Sequence, residues 1–147
     1  MMQTLFRSIA MLCVATTAAA QAPARQVITT PGGSPNPVLS AGIRVGDMVY
    51  ASGQLGLRRD APDSTIDGQT RVALENTKAV LEAAGTGMAN VVKCTVFLVN
   101  VADFQAMNRV YREFFPKDPP ARSTVAVAAL VVPAAKVEIE CMAVMGR

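Results

Sequence analysis

Apolar residues recur along this chain with two periods, one typical of β-strands and one typical of α-helices. The strand-like apolar runs cover residues 39–45, 48–52, 91–99, 125–132 and 137–144. Gly46 and Asp47 separate the first two runs, and such a pair predicts a turn between two strands. In the last run Glu138 and Glu140 alternate with apolar residues, so both carboxylates lie on one face of the predicted strand.

The helical period is clearest over residues 69–84. Its apolar stripe consists of Ala73, Leu74, Thr77, Val80, Leu81 and Ala84. Charged residues occupy the opposite side, which predicts a solvent-facing surface. There the pairs Arg71–Glu75 and Lys78–Glu82 have the i,i+4 spacing of helical ion pairs.

Capping residues predict where the first helix begins and ends, and a second apolar stripe predicts another helix. Asp67 is the predicted N-cap of the first helix, and Gly85 is the residue at which that helix is expected to end. A second helix is predicted over residues 103–115, with Asp103 as its cap. Asn108 falls inside its inward stripe, where an amide needs a hydrogen-bond partner. The apolar members of that stripe are Phe104, Met107, Tyr111, Phe114 and Phe115.

The predicted order of elements is β-β-α-β-α-β-β, which favours a single α+β domain. It supplies strands for one mixed sheet and two helices to cover one of its faces. The chain has 147 residues, of which 51% are hydrophobic and only 17% are charged. Such a low fraction of charged residues predicts that a partner, most simply another copy, covers part of the apolar surface. A net charge of +3 and 5% aromatic residues argue against a nucleic-acid partner.

The composition also restricts the possible chemistry. The chain contains no histidine, which excludes Ser-His-Asp and Cys-His nucleophiles and removes the usual zinc ligands. Cys94 and Cys141 are far apart and have no metal-binding spacing. No glycine-rich nucleotide motif is present, so the sequence implies neither a metal nor a cofactor. The groups that remain for catalysis are carboxylates, hydroxyls, an arginine and water.

The N-terminus has the features of an export signal. Arg7 precedes a short apolar stretch, and Ala18-Ala19-Ala20 fits the small-residue pattern of a cleavage site. We predict a signal peptide over residues 1–20, a flexible arm over 21–37 and one domain over 38–147. The mature protein would be periplasmic or secreted, with no membrane contact after cleavage. An uncleaved signal anchor is the alternative.

Export would permit a disulfide between Cys94 and Cys141. Both cysteines lie in apolar, strand-like segments, however, and we therefore predict buried free thiols.

Arg122 follows the proline-stiffened segment Pro119-Pro120-Ala121, in which the backbone has few alternatives. An arginine held in this way presents a planar fork suited to a carboxylate. One interpretation is a ligand site. The other is a structural salt bridge between Arg122 and Glu138 or Glu140, since ion-pair networks also gather charges in this manner.

Six motifs between residues 38 and 144 are distinctive: Tyr50-Ala51-Ser52-Gly53-Gln54-Leu55, Gln69-Thr70-Arg71-x-Ala73-Leu74-Glu75-Asn76, Asn90-Val91-Val92-Lys93, Met107-Asn108-x-x-Tyr111, Pro120-Ala121-Arg122-Ser123 and Val137-Glu138-Ile139-Glu140. Together they resemble the RidA family, also called the YjgF or endoribonuclease L-PSP group. The resemblance implies a chorismate-mutase-like fold and a homotrimer with clefts between subunits. It also implies hydrolysis of reactive 2-imino or enamine acids to 2-keto acids and ammonia.

The resemblance assigns roles by position. Arg122 would bind the substrate carboxylate, and Glu138 would orient or deprotonate the attacking water. Ser52 and Gly53 would line the pocket, and Asn108 would add a polar contact. An imine carbon is already electrophilic, so a positioned water and a carboxylate base can suffice without a metal or cofactor.

Two pocket positions depart from the family pattern. Leu39 stands where the family commonly has a tyrosine, and Thr124 stands where it often has a cysteine. Both would contact the substrate, so they leave its side-chain preference open. A non-catalytic module that binds small carboxylates or protects other proteins is the alternative function. An endoribonuclease is less favoured, because the chain is only weakly basic.

Overall fold

The computed structural model describes residues 22–34, 36–58 and 63–146. The predicted signal peptide, residues 1–20, lies outside them. The strands are β1 Arg25–Ile28, β2 Gly42–Val45, β3 Met48–Leu55, β4 Val91–Leu98, β5 Ala121–Ala126 and β6 Val137–Val144. The helices are α1 Ile66–Ala83 and α2 Phe104–Phe114. Neither is long and apolar enough to cross a membrane, nor is any other helix in the described part of the chain.

The six strands form one sheet in the order β1-β2-β3-β6-β4-β5. β4 and β5 are parallel, and every other neighbouring pair is antiparallel. The predicted mixed sheet in a single domain is therefore confirmed. β5 begins before the apolar run at 125–132 and ends at Ala126, so most of that run lies outside the strand.

The two faces of the sheet differ because side chains alternate along each strand. The helix face packs against α1 and α2, and its buried residues are Val49, Ala51, Cys94, Val96, Leu98, Val137, Ile139, Cys141 and Ala143. The opposite face, here called the open face, carries no helix from the described residues. It carries partly exposed apolar side chains, among them Tyr50 at 42%, Val125 at 44% and Met142 at 37%.

The stripe predicted for α1 is buried as expected, but its N-cap differs. Thr65 is the cap, and its Oγ1 accepts a hydrogen bond from the Gly68 amide at 3.1 Å. Asp67 lies inside the first turn, where a carboxylate still interacts favourably with the helix dipole. Gly85 follows the helix with φ of +85°, a left-handed conformation that glycine adopts easily.

One of the two predicted helical ion pairs is wrong. Arg71 bonds Glu113 of α2 at 2.8 Å rather than Glu75, because the packing of the two helices offers a tertiary partner. Glu75 pairs instead with Arg58. The second predicted pair, Lys78–Glu82, is confirmed at 3.5 Å.

The arm predicted over residues 21–37 contains regular structure, which corrects that prediction. β1 pairs with β2 at the edge of the sheet, from Arg25 opposite Val45 to Ile28 opposite Gly42. Only Ile28 in this strand is buried, so the segment has too little apolar pattern to be recognised in the sequence. Its backbone hydrogen bonds to β2 hold it in place.

The prediction of free thiols is also wrong. Cys94 on β4 lies directly opposite Cys141 on β6, with the Cα atoms 4.1 Å apart and a disulfide between the sulfurs. Both residues are 1% exposed on the helix face. The bond joins two central strands across 47 positions of sequence, a pairing that depends on the register of the sheet.

Candidate active site

Arg122 lies on β5 in register with Cys94, so its side chain is on the helix face, toward α2. Its Nη2 donates a hydrogen bond to Oδ1 of Asn108 at 2.7 Å. Its Cζ lies 4.5 Å from the centre of the Tyr111 ring and 5.9 Å from that of Phe104. Nη1 is 4.0 Å from the sulfur of Met107. Four side chains of α2 thus contact the guanidinium, and they are here called the cradle: Phe104, Met107, Asn108 and Tyr111.

The cradle explains why an amide lies within an otherwise apolar stripe. Phe104, Met107, Asn108 and Tyr111 have the i, i+3, i+4, i+7 spacing that places side chains on one side of a helix. Asn108 finds its predicted partner in the guanidinium. The other three were not predicted as contacts of the arginine, although their spacing along the helix could have indicated them.

An open groove of about 490 Å³ lies beside this cradle, and Arg122, Asn108, Pro119 and Pro120 are among its lining residues. A guanidinium has several N–H donors in a fixed fork. One donor contacts Asn108 and another faces the Met107 sulfur, so the others remain for a ligand. The groove can therefore hold a carboxylate against Arg122.

Tyr111 contributes a neutral aromatic surface. Burial raises its pKa from 10.0 to about 12, and the nearby positive charge of Arg122 offsets part of that rise. The hydroxyl oxygen is buried and has no hydrogen-bond partner in the described structure. Near neutral pH the phenol is therefore protonated, and its ring faces the guanidinium as an uncharged π-system.

Glu138 lies on the open face, because Val137 and Ile139 on either side of it are buried on the helix face. Its carboxylate rests against the backbone of Gly53, where any added Cβ would overlap Oε1. A side chain at this position would displace the Glu138 carboxylate, whereas glycine lets that carboxylate lie against the strand. The β3–β6 register shifts between Ala51 and Gln54, which is a β-bulge beside the carboxylate.

Ser52 and Leu39 belong to the same region as Gly53. The Ser52 hydroxyl donates to the Ser40 carbonyl at 2.7 Å, which fixes the bulge to the preceding loop. Leu39 is 56% exposed, and together with Gly53 it lines a second groove of about 350 Å³. Ser52 and Leu39 thus lie beside Gly53, the residue against which the Glu138 carboxylate rests.

The predicted site residues form two groups on opposite faces of the sheet. Arg122 and Asn108 lie on the helix side, and Thr124 joins them because it is in register with the buried Val96. Glu138 belongs to the open face, with β4 lying between β5 and β6. One chain does not bring Arg122 and Glu138 together.

The structural salt bridge considered above is therefore wrong for a single chain. Every ion pair between described residues involves charges other than Arg122. Glu138 and Glu140 do share one face, as predicted, but that face is turned away from Arg122.

Comparison with known proteins gives a consistent result. A family model described as endoribonuclease L-PSP matches residues 34–145. The chain is 41% identical over 126 residues to the 2-iminobutanoate/2-iminopropanoate deaminase of Dermatophagoides farinae, covering 82% of this chain and 97% of that protein. It is 39% identical over 109 residues to the chloroplastic Reactive Intermediate Deaminase A of Arabidopsis thaliana, covering 72% of this chain but 58% of that protein.

A solved structure agrees with the sequence matches. The structure of TdcF from E. coli with bound serine has a TM-score of 0.74 and 35% identity, covering 82% of this chain and 99% of that one. The predicted chorismate-mutase-like α+β fold is thereby confirmed. The chain belongs to the endoribonuclease L-PSP family, the RidA or YjgF group.

Proposed function

We propose that this protein hydrolyses reactive 2-imino acids and their enamine tautomers to 2-keto acids and ammonia. The observation that carries the proposal is the pose of Arg122, whose guanidinium is cradled by α2 and retains donors beside an open groove. Substrates and products of this reaction share a carboxylate next to the reacting carbon. The name of the mite relative and the serine bound to TdcF, itself a small carboxylate, support this assignment.

The chemistry needs few groups. Arg122 binds the substrate carboxylate and thereby positions the adjacent imine carbon. Water adds to that carbon while Glu138 accepts a proton from the water. Glu138 passes that proton to the nitrogen, and the hydroxyl proton of the resulting carbinolamine follows. The C–N bond then breaks, which releases ammonia and leaves the carbonyl of the keto acid. Gly53 supports this role because it lets the Glu138 carboxylate lie close to the strand.

The complete site is proposed to form between copies of the chain in a homotrimer. Arg122 and Glu138 lie on opposite faces of the sheet, so a neighbouring copy must supply one of them. The partly exposed apolar side chains of the open face, such as Tyr50 and Met142, favour coverage by another copy. A cleft of this kind would unite the Arg122 group of one subunit with the Glu138 group of the next.

Export to the periplasm or outside the cell belongs to the same proposal. The Cys94–Cys141 disulfide supports it, because disulfides persist mainly in oxidising compartments. The pattern of Arg7, an apolar stretch and three alanines supplies the signal. Substrates would then be imino acids released by oxidases or dehydrogenases that act in that compartment.

The direct test uses 2-iminobutanoate generated in place by an amino-acid oxidase. The protein should accelerate the release of ammonia and 2-oxobutanoate above the rate of spontaneous hydrolysis. Titration with 2-oxobutanoate should also show binding. If the protein binds the keto acid without accelerating hydrolysis, it is a carboxylate-binding module instead. Cleavage of RNA without imine hydrolysis would favour the endoribonuclease alternative.

Mixed oligomers test the proposed cleft between subunits. The Arg122→Gln and Glu138→Gln variants should each be nearly inactive. When they are co-expressed in equal amounts, a cleft that takes Arg122 from one copy and Glu138 from its neighbour is intact. Random assembly makes roughly one cleft in four complete, so about a quarter of wild-type activity should return.

The control is the mixture of separately purified variants before any exchange of subunits, which should stay inactive. Light scattering should give three times the chain mass for the wild type and both variants. A co-expressed oligomer without recovered activity would contradict a site shared between copies.

A further inference from the structure

Of the two aromatic rings beside Arg122, that of Tyr111 lies closer to the guanidinium. The Cζ–centroid distance of 4.5 Å is well inside the range of cation–π contacts, whereas the 5.9 Å to Phe104 is near its limit. The hydrogen bond to Asn108 holds one nitrogen of the guanidinium, but a single bond lets the rest of the group rotate about that nitrogen. A bidentate carboxylate contact needs the whole plane held in position.

The hydroxyl of Tyr111 has no part in this contact. Its oxygen is buried without a partner, and the residue as a whole is 5% exposed, so the groove reaches the ring and not the phenol oxygen. A buried hydroxyl without a partner costs stability compared with a phenylalanine of the same shape. The phenol itself is therefore dispensable for positioning, and the aromatic face is the useful part.

We propose that Tyr111 is a positioning residue of the carboxylate site. Its ring, and not its hydroxyl, holds the guanidinium of Arg122 in the orientation that binds substrate. The inference rests on the proposed function of Arg122 and adds a residue to it. A displaced guanidinium still binds the carboxylate, but more weakly in both the ground state and the transition state, so KM rises more than kcat falls.

The test compares three variants with the wild type by calorimetric titration with 2-oxobutanoate. Tyr111→Leu removes the ring and should raise Kd on the order of 5- to 30-fold. Tyr111→Phe keeps the ring and should bind within about twofold of the wild type. Phe115→Leu is the matched control, because this buried ring lies 4.7 Å from that of Tyr111, whereas the cation–π contacts of Arg122 in the described structure are with Phe104 and Tyr111. It should also bind within about twofold.

Melting and kinetics separate positioning from loss of packing. Tyr111→Leu and Phe115→Leu should both lower Tm, since each removes a buried ring. Tyr111→Phe should melt at the wild-type temperature or above it. Only Tyr111→Leu should raise KM for 2-iminobutanoate, whereas a merely destabilised protein loses active molecules and shows a lower kcat with the same KM.

Equal Kd values for Tyr111→Leu and the wild type would overturn this inference and leave the proposed function intact. A loss of binding in Tyr111→Phe as large as in Tyr111→Leu would overturn it too, because the hydroxyl would then be responsible. A wild-type protein that neither binds 2-oxobutanoate nor hydrolyses the imine would overturn the proposed function, and this inference with it.

Discussion

Glu138→Gln should lower kcat for 2-iminobutanoate on the order of 10²–10⁴-fold, because glutamine keeps the size of the side chain and removes the base. The carboxylate lies on the open face against Gly53, where it is half-buried and makes no ion pair with a described residue. Stopped assays of 2-oxobutanoate release give kcat. Binding of 2-oxobutanoate should change far less, since Arg122 still holds its carboxylate.

Glu140→Gln is the matched control for this prediction. Glu140 lies two residues along β6 on the same face, but its carboxylate is not the one that rests against Gly53. Its substitution should leave kcat within about threefold of the wild type. Unchanged turnover in Glu138→Gln would refute the water-activating role. Melting curves of both variants must show that the loss of turnover is not loss of fold.

Removing the disulfide by the double substitution Cys94→Ala and Cys141→Ala should lower the free energy of unfolding by about 2–5 kcal/mol. The bond spans 47 positions and joins β4 to β6 in the middle of the sheet, so it restricts the unfolded chain strongly. Denaturant titrations at equal protein concentration measure the change, because an oligomer's stability depends on concentration.

Reductant provides the internal control. Wild-type protein that is unfolded and refolded with a thiol reductant should lose the same stability, and the double variant should be insensitive to reductant. Intact-mass analysis of protein from its native host should show a chain that begins at Gln21 and lacks two hydrogens relative to the dithiol. A full-length chain in which Cys94 and Cys141 are free thiols, found as the main form, would contradict both the export proposal and the disulfide.

Features that depend on the local spacing of residues could be predicted from the sequence. The helical period over residues 69–84 correctly identified the buried side of α1, and strand alternation put Glu138 and Glu140 on one face. The position of Asn108 among apolar residues predicted that its amide has a hydrogen-bond partner, and the guanidinium of Arg122 is that partner. Each of these features follows from the geometry of a single element, so a short stretch of residues is sufficient to predict it.

The way in which those elements face one another could not be predicted and depends on the packing of the whole domain. The pairing of Cys94 with Cys141 and the separation of Arg122 from Glu138 both depend on strand register and on the face that the helices cover. Alternation within a strand says which residues share a face, but not which face it is, and a shift of one residue would exchange the two. The choice is made by packing between segments distant in the sequence, which local patterns do not encode.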